Sequence, residues 1–293
     1  MECQGCGLLM THPQPPEREV YGLYGHERFC RQQDPEGPGF DQVTFEKCWV
    51  AGSRERLAEL EHLVCPGRLL DVGAGTGVFL AEARSRGWQV AGVELNGWAC
   101  EYAQRRFGLE LQNAPFEALD FAPASFDAVT MWHVLEHLRR PGDALRRCRR
   151  LLRPGGVLAV EVPNVASGRA RRQGPRWRHL VPEQHLFHFS PETLTALAEA
   201  VGFSVALGKA VGGTDLLRRE ASLVPGWVKR QVGRHLEVFL PLQRVVRRLY
   251  HSLCGGAQFV RLYARSPQGE GGVREADPAL SLSKGGAEGA AQG

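Results

Sequence analysis

The sequence predicts an α/β fold, with a mostly parallel sheet that is covered by helices on both faces. Apolar runs of strand length alternate with amphipathic stretches of helical length between residues 44 and 210. Three glycines at alternate positions, Gly73, Gly75 and Gly77, join the first of these strands to the helix that follows. Successive parallel strands need a crossover, which helices supply, so this alternation is typical of an α/β domain.

The elements follow in order along the chain. The first helix is predicted from about Thr44 to Val64, where leucines recur at helical spacing. Strands are predicted at Leu69–Val72, Gln89–Glu94, Leu109–Gln112, Phe126–His133, Val157–Val162, Phe203–Leu207 and Gln258–Ala264. Further helices are predicted at Val78–Arg86, Trp98–Phe107, Pro141–Leu152 and Pro191–Ala200, the last with Ser190 as its N-cap.

Composition divides the chain into three parts. Residues 1–40 are rich in proline, glycine and glutamine and form an N-terminal segment. Residues 41–265 form the main domain, in which 215–253 interleave apolar residues with arginine and are interpreted as a helical insertion. Residues 266–293 consist mainly of glycine, alanine, serine and charged residues, which predicts a disordered tail.

The basic residues are unevenly placed. The formal net charge is +4, and only four of the 36 lysines and arginines are lysine. Arginines cluster at 139–153 and 169–178, which indicates either solvated helix faces or an anionic partner. Residues 240–253 also allow contact with a membrane surface as a weaker alternative, whereas no nucleic-acid-binding module is recognised.

Localisation is predicted to be cytoplasmic. No apolar run approaches the ~20 residues that a membrane-spanning helix needs. The N-terminal residues lack the basic and apolar regions of a secretory signal. Eight cysteines are scattered along the chain without the spacing of a disulfide framework, which favours a reducing compartment.

The glycine turn indicates the kind of ligand. Its G-x-G-x-G spacing differs from the dinucleotide fingerprint, in which a third glycine would stand at Val78. Glu94 ends the second strand, where a carboxylate can accept the hydroxyls of a ribose. Asp71 ends the first strand, where it either stabilises the turn or favours a cationic group. A ribose and a cationic group together point to S-adenosylmethionine.

Several motifs in register resemble the class I S-adenosylmethionine-dependent methyltransferases, in particular the subgroup that includes ubiquinone-biosynthesis O-methyltransferases. They are DVGAGTG at 71–77, GVE at 92–94 and the long stretch 126–164. The resemblance implies a Rossmann-like sheet of seven strands, the last antiparallel. It also implies that the cofactor contacts Gly73, Gly75, Gly77, Glu94, Phe116, Glu117, Met131 and Trp132. Asp71 is added as a candidate contact because of its position below the turn.

Methyl transfer is an in-line displacement, and a base assists when the acceptor is protonated. The candidate catalytic residues are His185, His133 and His188; for each alone, packing is the competing interpretation. His133 ends the fourth strand, and the resemblance places the loop with His185 and His188 over the substrate pocket. Zinc held by Glu183, His185 and His188 was weighed, but two histidines three residues apart are a weak signal, so no metal is assigned.

The N-terminal residues resemble the second half of a small zinc ribbon. Cys3 and Cys6 are separated by two residues and are followed by glycine and an apolar pair. A structural zinc needs four ligands, so either the first ligand pair lies upstream of Met1 or this partial zinc-ribbon-like segment is a relic.

The predicted function is methyl transfer from S-adenosylmethionine to a small molecule, with oxygen as the expected acceptor. The arginines at 169–178 favour an anionic substrate. Methylation of RNA or protein is the alternative within the enzyme class. A non-catalytic module that only binds the cofactor is the alternative outside it, and the intact glycine turn with Glu94 argues against that alternative.

Overall fold

The computed structural model describes residues 1–16, 46–211 and 258–268. Most of the predicted N-terminal segment, all of the predicted insertion 215–253 and the tail beyond residue 268 lie outside these described residues. The three-part division of the chain therefore stays a prediction. The main domain is described from its first helix to Val211 and again over its last strand.

A six-stranded sheet forms the centre of the described domain. Its strands are β2 (Arg68–Val72), β3 (Gln89–Val93), β4 (Phe126–Trp132), β5 (Leu152–Pro163), β7 (Ser204–Val211) and β8 (Phe259–Arg265). Across the sheet their order is β3-β2-β4-β5-β8-β7. The first four are parallel, and β8 lies antiparallel between β5 and β7. The predicted α/β class and the antiparallel last strand are confirmed.

The predicted strand at 109–112 is reduced to a single contact. Gln112 forms an isolated parallel bridge with Val93, at the edge of the sheet beside β3. Glu94 N donates to Gln112 O at 3.0 Å and Gln112 N donates to Gly92 O at 2.8 Å. The segment therefore lies at the sheet edge where the seventh strand was expected, but it does not form a full strand there.

Helices cover both faces of the sheet. They are α1 (Glu46–Glu61), α2 (Val78–Ser85), α3 (Gly97–Phe107), α4 (Pro141–Leu151), α5 (Gly168–Gln173) and α6 (Pro191–Ala200). One apolar core contains Leu57 and Leu80 from α1 and α2, and the other contains Leu145 and Leu194 from α4 and α6. Ser190 caps α6 in a reciprocal pair with Thr193, as its position before a proline predicts.

A small antiparallel sheet ties the N-terminal residues to the domain. β1 (Leu9–Met10) pairs with β6 (Phe187–His188) in the loop before α6. Leu8 is buried in the core, and Thr11 N donates to Leu186 O at 2.9 Å. The N-terminal residues therefore form part of the wall beside the carboxyl ends of the strands.

Among the described helices, none is both long and apolar enough to cross a membrane. The predicted membrane-surface stretch at 240–253 lies outside the part of the chain that the structure describes.

Candidate active site

The glycine turn connects β2 to α2 through three residues in the left-handed backbone region. Gly73, Gly75 and Gly77 have φ angles of 73°, 54° and 80°. A Cβ atom on Gly73 would lie 2.4 Å from the Val134 side chain, and one on Gly77 would lie 3.0 Å from that of Ala103. Both conformation and space therefore require glycine at these two positions.

Glu94 holds the glycine turn from the neighbouring strand end. Its side chain is buried, and its Oε2 accepts a hydrogen bond from Gly75 N at 2.8 Å. Its Oε1 accepts one from Asn96 N at 2.8 Å. Burial raises the pKa of Glu94, against the effect of these backbone donors. The carboxylate thus shapes the turn, and a carboxylate oxygen retains further lone-pair capacity toward a ribose hydroxyl.

Asp71 lies beneath the turn and is 1% exposed. Its Oδ1 accepts a hydrogen bond from the Thr130 hydroxyl at 2.6 Å. Burial raises the pKa of Asp71 to about 7, although the Thr130 hydroxyl and the charge of Arg56 act in the opposite direction. A nearby cation would stabilise the ionised form of this buried carboxyl group. This is the physical basis for its predicted contact with the cationic part of the cofactor.

The other four predicted cofactor contacts divide into buried and exposed groups. Phe116 is buried beneath the guanidinium of Arg147, while Glu117 in the same short turn is exposed. Met131 is fully buried in the core. Trp132 packs edge-on against Phe79 on the opposite face of the sheet. The side chains of Met131 and Trp132 therefore brace the fourth strand from its two faces.

His133 follows β4 and is held between two carboxylates. Its φ angle is 59°, and its backbone N donates to Glu161 O at 2.8 Å. Its Nε2 lies 3.2 Å from Glu161 Oε1 and its Nδ1 lies 3.6 Å from Glu136 Oε1. Desolvation favours the neutral ring, but both carboxylates outweigh it and raise the pKa of His133 to about 9. The ring is therefore a cation at neutral pH.

A buried ion network lies behind His133. Glu161 on β5 is 3% exposed and accepts hydrogen bonds from Arg56 and Arg261, each at 2.5 Å. Burial opposes its ionisation, but Arg56, His133 and Arg261 together hold the pKa of Glu161 well below its ordinary value. The Arg56 guanidinium also lies 4.7 Å from the ring centroid of Trp132. This network joins α1, β4, β5 and β8.

A second histidine group surrounds Glu136. His137 and His185 stack edge to face with ring centroids 4.8 Å apart. Desolvation lowers the pKa of His137 to about 4 and also lowers the pKa of His185. Glu136 is 1% exposed; burial opposes its ionisation, but the neighbouring histidines outweigh it and lower its pKa to about 2. Ligand atoms of Glu136, His137 and His185 lie within 4.8 Å of one another.

His188 lies apart from the other two predicted catalytic histidines. It is on β6, opposite Leu9, and its Nε2 lies 3.3 Å from the Thr11 hydroxyl. Desolvation lowers the pKa of His188 to about 4. The structure therefore brings His133 and His185 to the two sides of Glu136 and places His188 in the small sheet behind them.

Three residues of this region, Glu136, His137 and His179, are not among the site residues predicted from the sequence. Glu136 and His137 were visible in the sequence as neighbours after the fourth strand, in VLEHL. His179 was not singled out, and its backbone O accepts a 2.7 Å contact from His185 Nδ1. The adjacent Glu–His pair was the available signal, whereas nothing local in the sequence indicates the partner His179.

The predicted arginine loop lies on the surface. Arg171 and Arg172 are exposed on α5, and Arg176 and Arg178 are exposed just after it. Arg171 Nη1 donates to Ala166 O at 2.5 Å. These side chains form a cationic surface in the same loop that carries His185.

Comparison with known proteins identifies the class to which this fold and site belong. The methyltransferase domain family matches residues 48–207, which is more than half of the chain. The chain belongs to this family, and the predicted resemblance is confirmed at this level. S-adenosylmethionine is accordingly the cofactor of its class.

The particular relatives are enzymes of quinone biosynthesis. A ubiquinone biosynthesis O-methyltransferase of Albidiferax ferrireducens is 39% identical over 120 residues, which cover 37% of this chain and 47% of that protein. Its counterpart in Aeromonas salmonicida is 28% identical over 155 residues, covering 47% and 63%. The chain spans about half the length of the curated relatives it matches.

Solved structures confirm the fold. A SAM-dependent methyltransferase from Archaeoglobus fulgidus is 20% identical with a TM-score of 0.54, over 76% of this chain and 97% of that one. The [4+2]-cyclase SpnF is 21% identical with a TM-score of 0.53, over 81% and 86%. One fold therefore carries two differently named activities, and the reaction has to be argued from the site.

Proposed function

We propose that this protein transfers the methyl group of S-adenosylmethionine to an oxygen atom of a small, anionic molecule in the cytoplasm. The hydrogen bond from Gly75 N to Glu94 Oε2 carries the proposal. It fixes a glycine-rich turn against a strand-end carboxylate, which is a built site for a nucleoside with a cationic side arm. The two relatives described above, which are named as ubiquinone biosynthesis O-methyltransferases, support oxygen as the acceptor.

The glycine turn and the residues around it form the cofactor half of the crevice, which binds the methyl donor S-adenosylmethionine. Gly73, Gly75 and Gly77 line the methionine part of the cofactor, and Glu94 accepts hydrogen bonds from its ribose hydroxyls. Asp71 beneath the turn offers negative charge to the ammonium group. Phe116 and Glu117 lie on the adenine side, and Met131 and Trp132 end the strand that faces the sulfonium.

The acceptor half binds the substrate between His133 and His185, with His188 behind them. His133 is cationic and fully engaged with two carboxylates, so it suits holding charge better than taking a proton. His185 is neutral and is our first choice for contact with the acceptor. As the methyl group moves, the oxygen–carbon bond forms, the carbon–sulfur bond breaks, and its electron pair stays on sulfur. The hydroxyl proton of the acceptor passes to a base, for which neutral His185 is the first candidate.

The exposed arginines of α5 and the turn after it support an anionic substrate, because guanidinium groups suit phosphate and carboxylate. Two alternatives remain open. One is methylation of RNA or protein, and the other is a module that binds the cofactor without transfer.

Labelled S-adenosylmethionine tests the proposal against fractions of a cell extract. The lipid, nucleotide-sugar, polar-metabolite and RNA fractions are incubated separately with the full chain and with a Glu94→Gln variant as the matched control. We expect label in one small-molecule fraction with the unaltered chain only. Label confined to RNA would favour the first alternative, and label in no fraction despite cofactor binding would favour the second.

A further inference from the structure

Three metal-ligating side chains from two separate segments meet beside the cofactor crevice. Glu136 and His137 belong to the short helical turn Leu135–His137 after β4, and His185 belongs to the loop before β6. Their ligand atoms lie within 4.8 Å of one another. Leu186 N donates to Glu136 O at 2.8 Å, so the backbone joins the two segments at this point.

Glu136 is a buried anion without a hydrogen-bond donor. It is 1% exposed, and neither of its carboxylate oxygens has a hydrogen-bond partner among the described residues. The nearest charged-type atoms are His133 Nδ1 at 3.6 Å and His137 Nε2 at 4.0 Å. A buried carboxylate is costly unless it is hydrogen-bonded, paired or bound to a metal. The His133 cation offsets the charge of Glu136, but both carboxylate oxygens lack a hydrogen bond from the described residues and can serve as metal ligands.

The two histidines are held in the tautomer that a metal requires. His137 Nδ1 lies 3.1 Å from Gln184 O, and His185 Nδ1 lies 2.7 Å from His179 O. A carbonyl oxygen only accepts, so each Nδ1 carries the proton and each Nε2 carries the ring lone pair. Metal-binding histidines commonly donate their other ring N–H to a carbonyl or carboxylate in this way.

We propose that Glu136, His137 and His185 bind one divalent transition-metal ion, with zinc as the ion that the set fits best. Two imidazoles and one carboxylate form a known ligand set for zinc with an open fourth position. Tetrahedral zinc places its ligand atoms about 3.3 Å apart, so the side chains need to close by up to about 1.5 Å. The ion would add positive charge beside the carboxylate of Glu136.

This site differs from the one considered from sequence alone. The sequence offers Glu183 and His188 as partners of His185, at a spacing too weak to predict a metal site. The structure instead brings His185 to Glu136 and His137, from a segment 48 positions earlier than His185 at its nearest residue. Spacing within one loop carries no information about such a pairing.

The catalytic use of the metal rests on the proposed function. An acceptor hydroxyl at the open position would have its pKa lowered by the ion and would give its proton to solvent. The oxygen would then attack the methyl group as described above. Metal binding itself does not depend on that function.

The test uses the full chain with Cys3→Ser and Cys6→Ser, so that the cysteine pair cannot bind the probe. The protein is stripped with a chelator and titrated with Co²⁺ by visible absorption, and with Zn²⁺ by calorimetry. We expect one equivalent of either ion. Glu136→Gln and His185→Asn should each weaken binding at least tenfold. The control His62→Asn, which changes an exposed histidine directly after α1, should leave binding unchanged.

Thermal melting distinguishes a metal ligand from a carboxylate with a purely structural role. Glu136→Gln removes one metal ligand and keeps the size of the side chain, so it should abolish the rise in melting temperature that Zn²⁺ produces in the stripped parent. A chain that binds neither ion, or a Glu136→Gln variant that binds as tightly as its parent, would overturn the proposal.

Binding of S-adenosylhomocysteine separates this proposal from the proposed function. It also shows that each variant is folded. Normal binding of the nucleoside without metal binding would reject the metal site and leave the proposed function standing. Metal binding without nucleoside binding would support the metal site and reject the proposed function.

Discussion

The cofactor half and the acceptor half of the crevice are built in different ways. The cofactor half is made of backbone, from the turn at residues 73–77, and of one carboxylate 19 positions after Gly75. The acceptor half is made of side chains from α1, the end of β4, β5, the loop before β6 and β8. A site built from neighbouring segments can be found in sequence, whereas a site built from distant side chains cannot.

The two halves also handle charge differently. Burial raises the pKa of Asp71 and of Glu94, so the cofactor half holds carboxyl groups that lack a full counter-charge. In the acceptor half, Glu161 is matched by Arg56 and Arg261. A cationic ligand would complete the first half, whereas the two buried carboxylates of the second half, Glu161 and Glu136, already face cationic side chains.

The largest expected effect is on stability, from Glu161→Gln in the acceptor half. Removing one partner of a buried ion network leaves uncompensated charge, and we expect a loss of about 3–5 kcal/mol in the free energy of unfolding. Denaturant unfolding measures it. Glu82→Gln, which breaks the surface pair with Arg54, is the control and should cost less than about 1 kcal/mol. Equal costs for the two variants would contradict the network.

Glu94→Gln should weaken S-adenosylhomocysteine binding by about 1–3 kcal/mol, because hydrogen bonds to the turn and the ribose lose their charged acceptor. Calorimetry measures the dissociation constant. Asp127→Asn is the matched control, since Asp127 also accepts from a backbone donor, Arg68 N at 2.7 Å, but at the opposite end of the sheet. An unchanged affinity in Glu94→Gln would remove Glu94 from the site.

Gly73→Ala should weaken the same binding about tenfold or more, since left-handed backbone costs a side-chain-bearing residue about 1–2 kcal/mol and the new Cβ meets Val134. Gly87→Ala has comparable strain, with φ of 92°, but nothing lies within 4 Å of its Cβ. The control should lose stability and keep its affinity. If both variants bound the nucleoside normally, the turn would not be the cofactor site.

Asp71 should make cofactor binding depend on pH. Its pKa near 7 means that it ionises as pH rises through neutrality, so affinity for the cationic cofactor should rise there. A shift of about one pKa unit on binding corresponds to about 1.4 kcal/mol. Calorimetry between about pH 5 and about pH 8 measures it, and Asp71→Asn should flatten the profile. A profile that falls with pH would contradict the assignment.

The same residue predicts the opposite trend for the ligand-free chain. Between its ordinary pKa of 3.8 and about 7, Asp71 keeps its proton in the folded state and gives it up on unfolding. The unfolded state then binds fewer protons, so this contribution to stability falls as pH rises. Melting curves of the unaltered chain and of Asp71→Asn would isolate it.

The smallest effect is expected from the surface arginines. Replacing Arg171 and Arg172 with alanine should raise KM for the anionic acceptor about threefold to tenfold and leave kcat nearly constant, because exposed charges act weakly. Arg146→Ala, which removes an exposed arginine paired with Asp143 on α4, is the control. An unchanged KM in the double variant would argue against recognition of an anion by this loop.

Local patterns account for what could be predicted. The glycine spacing, the carboxylate at the end of the second strand and the serine–proline start of α6 each depend on contacts within a few residues or between adjacent strands. The structure shows these contacts at Gly75 and Ser190. The fold class followed from the same local alternation of strands and helices.

Long-range side-chain pairing accounts for what could not be predicted. Glu161 meets Arg56, which is 105 positions away, and Arg261, which is 100 positions away. No local pattern reveals that His133 is a cation between two carboxylates or that His188 faces Thr11. Likewise the strand expected at 109–112 would need to pair with β3 along its length, and only Gln112 forms such a bridge, with Val93.

The central claim is that the turn at 73–77 with Glu94 binds S-adenosylmethionine. Calorimetric titration of the full chain with S-adenosylmethionine and then with S-adenosylhomocysteine tests it most directly. We expect one molecule of either compound per chain, with both affinities reduced in Glu94→Gln and retained in Asp127→Asn. A full-length, folded chain that binds neither compound would contradict the account.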